Sequence, residues 1–216
     1  MKDSYALLLC NGEMPPGELL RDLAASAETV ICADGGANGA LRLGIIPATV
    51  IGDFDSIEDD TRRELAERGA DFIHLERQDD TDFEKALLHL EAVGPRRVVM
   101  AGVTGGLLDH TLGNMSIILR HMRLLRMVLY DTHYRIDVID GDTRFSSIPG
   151  ERVSIVPLRP SRGVRYEGLR YQYALPVMAM GVGEGTCNEA METAFTVHVE
   201  DGALLVFRAL PAPQGV

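Results

Sequence analysis

Apolar strand-like runs alternate with amphipathic helical stretches from Tyr5 to Tyr130, and this rhythm restricts the fold of the first 130 residues more than any other feature. Strands are expected at Tyr5 to Cys10, Thr29 to Ala33, Ala48 to Ile51, Asp71 to Leu75, Arg97 to Ala101 and Met127 to Tyr130. Helices are expected at about Glu18 to Ala27, after the Asp34 to Asn38 loop and ending at Gly44, and over Glu58 to Arg68, Thr81 to Val93 and about His110 to Arg123. Strands separated by helices need right-handed crossovers, which give a mainly parallel, Rossmann-like α/β sheet with helices on both faces. In such sheets ligands bind at the carboxyl ends of the strands, so the loops there receive most attention.

The texture changes after Asp131. Short β-rich segments (Tyr134 to Asp140, Thr143 to Ser147, Arg152 to Pro157, Val164 to Tyr166, Thr193 to Val199 and Leu204 to Phe207) are separated by turns such as Asp140-Gly141-Asp142. This pattern suggests a smaller all-β sandwich. The expected organisation is therefore an α/β domain over residues 1–132 and a β-sandwich domain over 133–216.

The third strand runs into Gly52-Asp53-Phe54-Asp55-Ser56, and a second acidic group, Asp79-Asp80-Thr81-Asp82, opens the helix that follows the fourth. If strand alternation continues through the motif, the i, i+2 spacing turns Asp53 and Asp55 the same way, a geometry suited to a hard cation. Aspartates at strand ends also make turns and cap helices. Two such groups at one sheet edge favour Mg²⁺ and phosphate chemistry. The glycine loops Asp34-Gly35-Gly36-Ala37-Asn38 and Gly102-Val103-Thr104-Gly105-Gly106 leave backbone N–H groups open to phosphate oxygens. Neither matches the dinucleotide fingerprint or the Walker loop. Lys85, three residues after Asp82, is a candidate phosphate partner, and His110, beside Asp109, a supporting residue.

A formal net charge of −11 argues against a nucleic-acid partner but not against a metal-bound nucleotide. Three widely spaced cysteines without ligand spacing fit a reducing cytoplasm, and neither a leader peptide nor a membrane span is expected.

Taken in order, Ala33-Asp34-Gly35-Gly36-Ala37-Asn38, Ile51 to Ile57, Asp79 to Leu87, Gly105 to Asn114, Glu167-Gly168-Leu169 and Gly185-Thr186-Cys187-Asn188 resemble the thiamine pyrophosphokinase family. The resemblance covers most of the chain. It implies pyrophosphoryl transfer from ATP to the hydroxyl of thiamine in a homodimer with active sites at the subunit interface. By motif, Asp53, Asp55 and Asp82 would hold Mg²⁺, with Asp79 in support. Asn11, Asp34, Gly35, Gly36, Asn38, Lys85, Thr104, Gly105, Gly106, Asp109 and His110 would form the ATP site, and Cys187 and Asn188 would meet thiamine. The chain departs from the family pattern at Leu107, where an Arg is common, and at Cys187, where Ser is usual. Arg77, Arg96 and Arg120 are candidate replacements for the missing phosphate contact. The Asp-x-Asp motif alone also fits a phospho-aspartyl phosphatase or a sugar-nucleotide transferase, and a binding regulator without turnover would keep the same pocket.

Overall fold

The computed structural model describes residues 4–75 and 80–211, and the chain divides into two compact units, Met1–Thr132 and His133–Val216. In the first unit, strands β1 (Ala6–Leu9), β2 (Thr29–Ala33), β3 (Thr49–Gly52), β4 (Asp71–His74), β5 (Arg97–Ala101) and β6 (Arg126–Tyr130) pair in parallel in the order β6-β5-β1-β2-β3-β4. Helices α1 (Gly17–Ser26), α2 (Gly36–Arg42), α3 (Asp59–Glu67), α4 (Asp82–Val93) and α5 (Leu108–His121) connect them. Because each crossover carries a helix, both sheet faces are covered, and the central strands read as unbroken apolar runs: all of β1 is buried. The chain fills the sheet outward from β1 to β4, then returns to the other side of β1 with β5. That reversal opens a crevice beyond the ends of β1 and β5.

The second unit holds two antiparallel sheets. In one, β11 (Val177–Met178), β9 (Arg152–Arg162), β14 (Asp201–Ala209) and β7 (Tyr134–Ile139) lie side by side, with β12 (Gly185–Glu189) also on β9; the other is β10 (Arg165–Glu167), β13 (Ala194–His198) and β8 (Thr143–Ser146). One buried cluster draws Val153 and Ile155 from β9, Val206 from β14, Phe145 from β8 and Phe195 from β13, so the two sheets face each other as a sandwich. Phe145 and Phe195 stack at its centre with ring centroids 4.9 Å apart.

Two differences from the sequence-based expectations have physical causes. The strand expected to end at Pro157 continues as β9 to Arg162, carrying one extra residue against β14 between Pro157 and Arg159 and another between Arg159 and Arg162, bulges that let Pro157 and Pro160, which cannot donate to a ladder, sit in the strand. β12 departs from expectation as a strand, since Gly185 to Glu189 carries no apolar alternation; β9 pairs with it across a register shift. No helix among the described residues is long and apolar enough to cross a membrane.

Helices α4 and α5 are joined by a polar clamp. Arg120 makes a two-pronged ion pair with Glu84, with N–O distances of 2.7 Å. The buried His121 ring places Nδ1 2.7 Å from Glu91 and Nε2 3.3 Å from Glu84. Burial raises the Glu84 carboxyl, but hydrogen bonds from Arg120 and His121 outweigh it, and the net result lies below the usual glutamate range. A lowered folded pKa means the clamp stabilises above the unfolded glutamate value and is lost as pH falls through the folded one. Glu84→Gln should therefore flatten the acid side of the pH–stability curve relative to wild type, measured by urea unfolding from pH 7 to pH 3.

Candidate active site

The acidic cluster is built from three segments that approach at the carboxyl edge of the first unit's sheet. Oxygens of Asp34 (following β2), Asp53 (following β3) and Asp82 (opening α4) all lie within 4.8 Å of one another. Gly52 makes this approach possible: a Cβ there would sit 2.8 Å from the Asp34 Cβ and 3.2 Å from the Asp82 carboxylate. Thr81 caps α4 by accepting the Glu84 N–H at 3.3 Å, which places Asp82 at the first helical position. Lys85, only 3% exposed, sets its Nζ 2.9 Å from the Asp82 carboxylate and supplies the cluster's one direct cationic partner among the described residues.

Asp34 is 2% exposed, and its two carboxylate oxygens accept the N–H groups of Ser56 and Ile57 at 3.2 and 3.0 Å. Asn38 completes the attachment, donating to the Ser56 carbonyl and accepting the Glu58 N–H, both at 3.0 Å. Burial pushes the Asp34 carboxyl up to about 6; the hydrogen bond from Ser56 opposes this, and the nearby Asp82 and Asp55 carboxylates reinforce it.

The relation between Asp53 and Asp55 differs from simple strand alternation. β3 ends at Gly52, and Phe54 adopts a left-handed backbone with φ of 66°, turning the chain while the Asp55 N–H points to Asp53 Oδ1 at 3.4 Å. A left-handed bulky residue costs about 1–2 kcal/mol. The Phe54 ring offsets this by stacking on His74 at 5.5 Å, meeting Phe72 edge-on at 5.6 Å and lying under the Arg62 guanidinium at 4.8 Å. Asp55 lies outside the three-oxygen group, and its Oδ1 accepts the Ser56 hydroxyl at 2.8 Å.

A cavity of about 1050 Å³ contains this cluster. Asn11, Asp34, Gly35, Asp53, Asp55, Asp82 and Lys85 line it on one side, and Gly105, Gly106, Asp109 and His110 on the other. The walls meet at the switch point, where Gly12 N–H bonds to the Gly102 carbonyl at 2.7 Å and Glu13 N–H to the Thr104 carbonyl at 2.9 Å. Leu107 lines it too, and so do Glu13, Phe83 and Asn114, for which no site role is expected from the sequence; Asn114 holds the loop by donating to the Val103 carbonyl at 2.8 Å. The cavity edge also includes Cys10, whose thiol burial pushes up to about 12, so it serves as a small apolar residue.

Other expected site residues fall elsewhere. Gly36, Asn38 and Thr104 support the wall without lining it. A side chain on Gly36 would strike the Leu9 carbonyl oxygen at 2.3 Å, so that glycine admits α2 against β1. Asp79 and Arg77 lie outside the described residues. Arg120 is committed to Glu84, and Arg96 lines a different recess. In the second unit Asn188 is buried, its amide spent on the backbone of Tyr171 and Glu189 at 2.7–3.0 Å, while the exposed Cys187 has φ of 58° and accepts a hydrogen bond from Arg152 at 3.1 Å.

A family model described as "Thiamin pyrophosphokinase, catalytic domain" matches residues 20–129, and one described as "Thiamin pyrophosphokinase, substrate-binding domain" matches 137–207. The chain belongs to the thiamin pyrophosphokinase family. Among curated relatives, thiamine pyrophosphokinase of Bacillus subtilis is 26% identical, with 90% of this chain and 94% of the relative covered. Thiamine pyrophosphokinase 1 of Arabidopsis thaliana is 27% identical, with 93% and 84% covered. The crystal structure of thiamine pyrophosphokinase from Bacillus subtilis superposes with a TM-score of 0.80 at 22% identity, covering 96% of this chain and all of that one, and shares its fold.

Two outcomes follow from this geometry. Because the folded Asp34 pKa is raised, its charged form costs stability at every pH above about 6 and the cost disappears as the group protonates. Asp34→Asn removes that pH-dependent cost but can accept only one of the two backbone N–H groups and turns an NH2 donor onto the other, so it should lower Tm at pH 5 in EDTA while showing a smaller further fall from pH 5 to pH 8 than wild type, measured by calorimetry. At Phe54, removing the ring should cost more than removing the backbone penalty returns: the expected order of stability in urea unfolding is wild type, then Phe54→Gly, then Phe54→Ala, with about 1 kcal/mol between the two variants.

Proposed function

We propose that this protein catalyses Mg²⁺-dependent transfer of a pyrophosphoryl group from ATP to the hydroxyl of thiamine, giving thiamine diphosphate and AMP. The observation that carries the reading is the three-aspartate cluster in a large cavity at the carboxyl edge of the sheet, within a chain matched over both units by pyrophosphokinase family models. The first unit would take ATP and the second thiamine, in a cytoplasmic homodimer with active sites at the subunit interface.

The donor set suits Mg²⁺. It consists of hard carboxylate oxygens from three chain segments, close enough to share one ion and otherwise mutually repulsive. Asp34, Asp53 and Asp82 would hold it, with Asp55 next to them at the cavity wall. Bound there, the ion would neutralise charge on the transferred phosphoryl oxygens. Lys85 has a complementary role: paired with Asp82 and lining the cavity, its ammonium offsets the carboxylate charge and presents positive charge to the triphosphate. The glycine loop at Gly105 and Gly106 would leave backbone N–H groups open to phosphate oxygens, and Leu107 offers no guanidinium there.

The attack falls on the β-phosphorus, so a base must take the thiamine hydroxyl proton. Asp82 is engaged by Lys85 and Asp34 by two backbone N–H groups, and we assign the step to Asp55, a cavity carboxylate beside the three-aspartate group but outside it. Thiamine is cationic, and the acidic cavity favours its approach.

Incubation with ATP, Mg²⁺ and thiamine should give AMP and thiamine diphosphate in equal amounts. Asp53→Asn should lower kcat by about 10²-fold or more, the scale on which one preorganised charge-stabilising group is missed. Production of ADP or of inorganic phosphate without thiamine dependence would refute the reading. For Asp55→Asn, a kcat loss with unchanged Mg²⁺ activation is expected from a base; a matching loss of Mg²⁺ affinity would make it a ligand instead.

A further inference from the structure

The first unit has a second recess, at the opposite edge of its sheet from the acidic cluster. It measures about 380 Å³ and is lined by Arg96 and Arg97 at the start of β5 and by Arg123 and Arg126 around the turn from α5 into β6. Met122 and Leu125 contribute apolar wall, and no acidic residue lines it among the described residues. This inverts the character of a chain with 32 acidic and 21 basic residues.

The sheet register enforces the crowding. Arg97 and Arg126 are partners on neighbouring parallel strands, so their side chains leave the same face from backbones about 4.8 Å apart. Like charges placed opposite each other in a sheet are destabilising. The Arg126 N–H bonds to the Arg96 carbonyl at 2.8 Å, which draws Arg96 to the same point. Elsewhere in the chain arginines such as Arg63, Arg68, Arg120 and Arg170 pair with carboxylates. The four here make no ion pair among the described residues: Arg96 donates to the Leu124 carbonyl at 3.4 Å, Arg97 lies over the Tyr5 ring at 5.8 Å, and the guanidiniums of Arg123 and Arg126 have no hydrogen-bond partner among those residues.

We propose that this recess is a binding site for a small anion carrying a di- or triphosphate, separate from the catalytic cavity. Guanidinium forks match phosphate oxygens in pairs and keep their charge at any physiological pH, and several converging forks favour a multiply charged anion over a single phosphate. The volume lies at the low end for small-molecule sites, about 300–1,000 Å³. A nucleic acid is disfavoured, because the basic charge is confined to one recess on a chain of net charge −11. Free pyrophosphate, a nucleoside triphosphate and thiamine diphosphate share the required chemistry.

The test is isothermal titration of the full chain in EDTA, where the acidic cavity has no cation through which to hold phosphate, with pyrophosphate as the first probe and sulfate as control. Saturable binding is expected, weakening as salt rises, with sulfate far weaker. Arg123→Gln/Arg126→Gln should weaken it by about tenfold or more, the scale of a lost charge-assisted pair. That variant should keep thiamine-dependent AMP formation and have an anion-free Tm no lower than wild type, since it relieves repulsion rather than breaking a contact. ATP and thiamine diphosphate titrated in the same buffer then identify which source binds at the lowest concentration. No saturation by pyrophosphate, equal affinity for sulfate, or unchanged binding by the double variant would overturn the proposal. Because the readout is metal-free binding, its failure leaves the pyrophosphokinase reading intact, and failure of that reading leaves this one testable.

Discussion

The buried carboxylate of Asp34 holds together the parts of this molecule that matter for chemistry. It reaches from the end of β2 to the N–H groups of Ser56 and Ile57, and so fixes the loop that carries Asp53 and Asp55. The same group lies within 4.8 Å of Asp53 and Asp82. A side chain that both anchors a loop and points charge into a cavity must be buried and ionised together, and these demands oppose each other. Its raised pKa expresses that conflict. A bound cation would resolve it, which is why the cluster reads as a functional arrangement and not as surplus surface charge.

Around that point the neighbouring residues divide the work. Asn38 secures the same loop from α2, Phe54 absorbs a left-handed turn by packing its ring on Phe72 and His74, and Gly52 leaves the space in which Asp34 and Asp82 approach. On the far side of α4 the Glu84 clamp to Arg120 and His121 ties the helix bearing Asp82 and Lys85 to α5, the helix that begins beside the cavity. Positioning is thus spread over several elements, as expected for phosphoryl transfer, where placement and charge neutralisation carry most of the barrier reduction.

Much of this is legible in the order of the residues. The helix–strand rhythm predicts the parallel sheet, and the ordered motifs identify the family, because the chemistry needs carboxylates and glycines at strand ends. Less legible are side chains whose role is set by distant partners. Asn38 and Asn188 occupy family motifs and read as ligand contacts, yet both amides are spent on backbone groups. Asp34 reads as a nucleotide-loop residue, and its place in the carboxylate cluster appears only when β2 and β3 lie side by side. Arg120, a candidate phosphate contact by charge alone, is turned away by Glu84.

By itself the sequence determined the fold class, the change of architecture near residue 132 and the acidic character of the strand-end loops, since periodicity and local turn chemistry are properties of short segments. Only the tertiary structure decided which three carboxylates share one space, how Phe54 turns the chain between Asp53 and Asp55, and that arginines 26 to 30 residues apart meet in one recess, as at the paired Arg97 and Arg126. Those outcomes depend on strand register and on what packs across the sheet edge, and register is set by pairing between segments that carry no record of each other in their own residues.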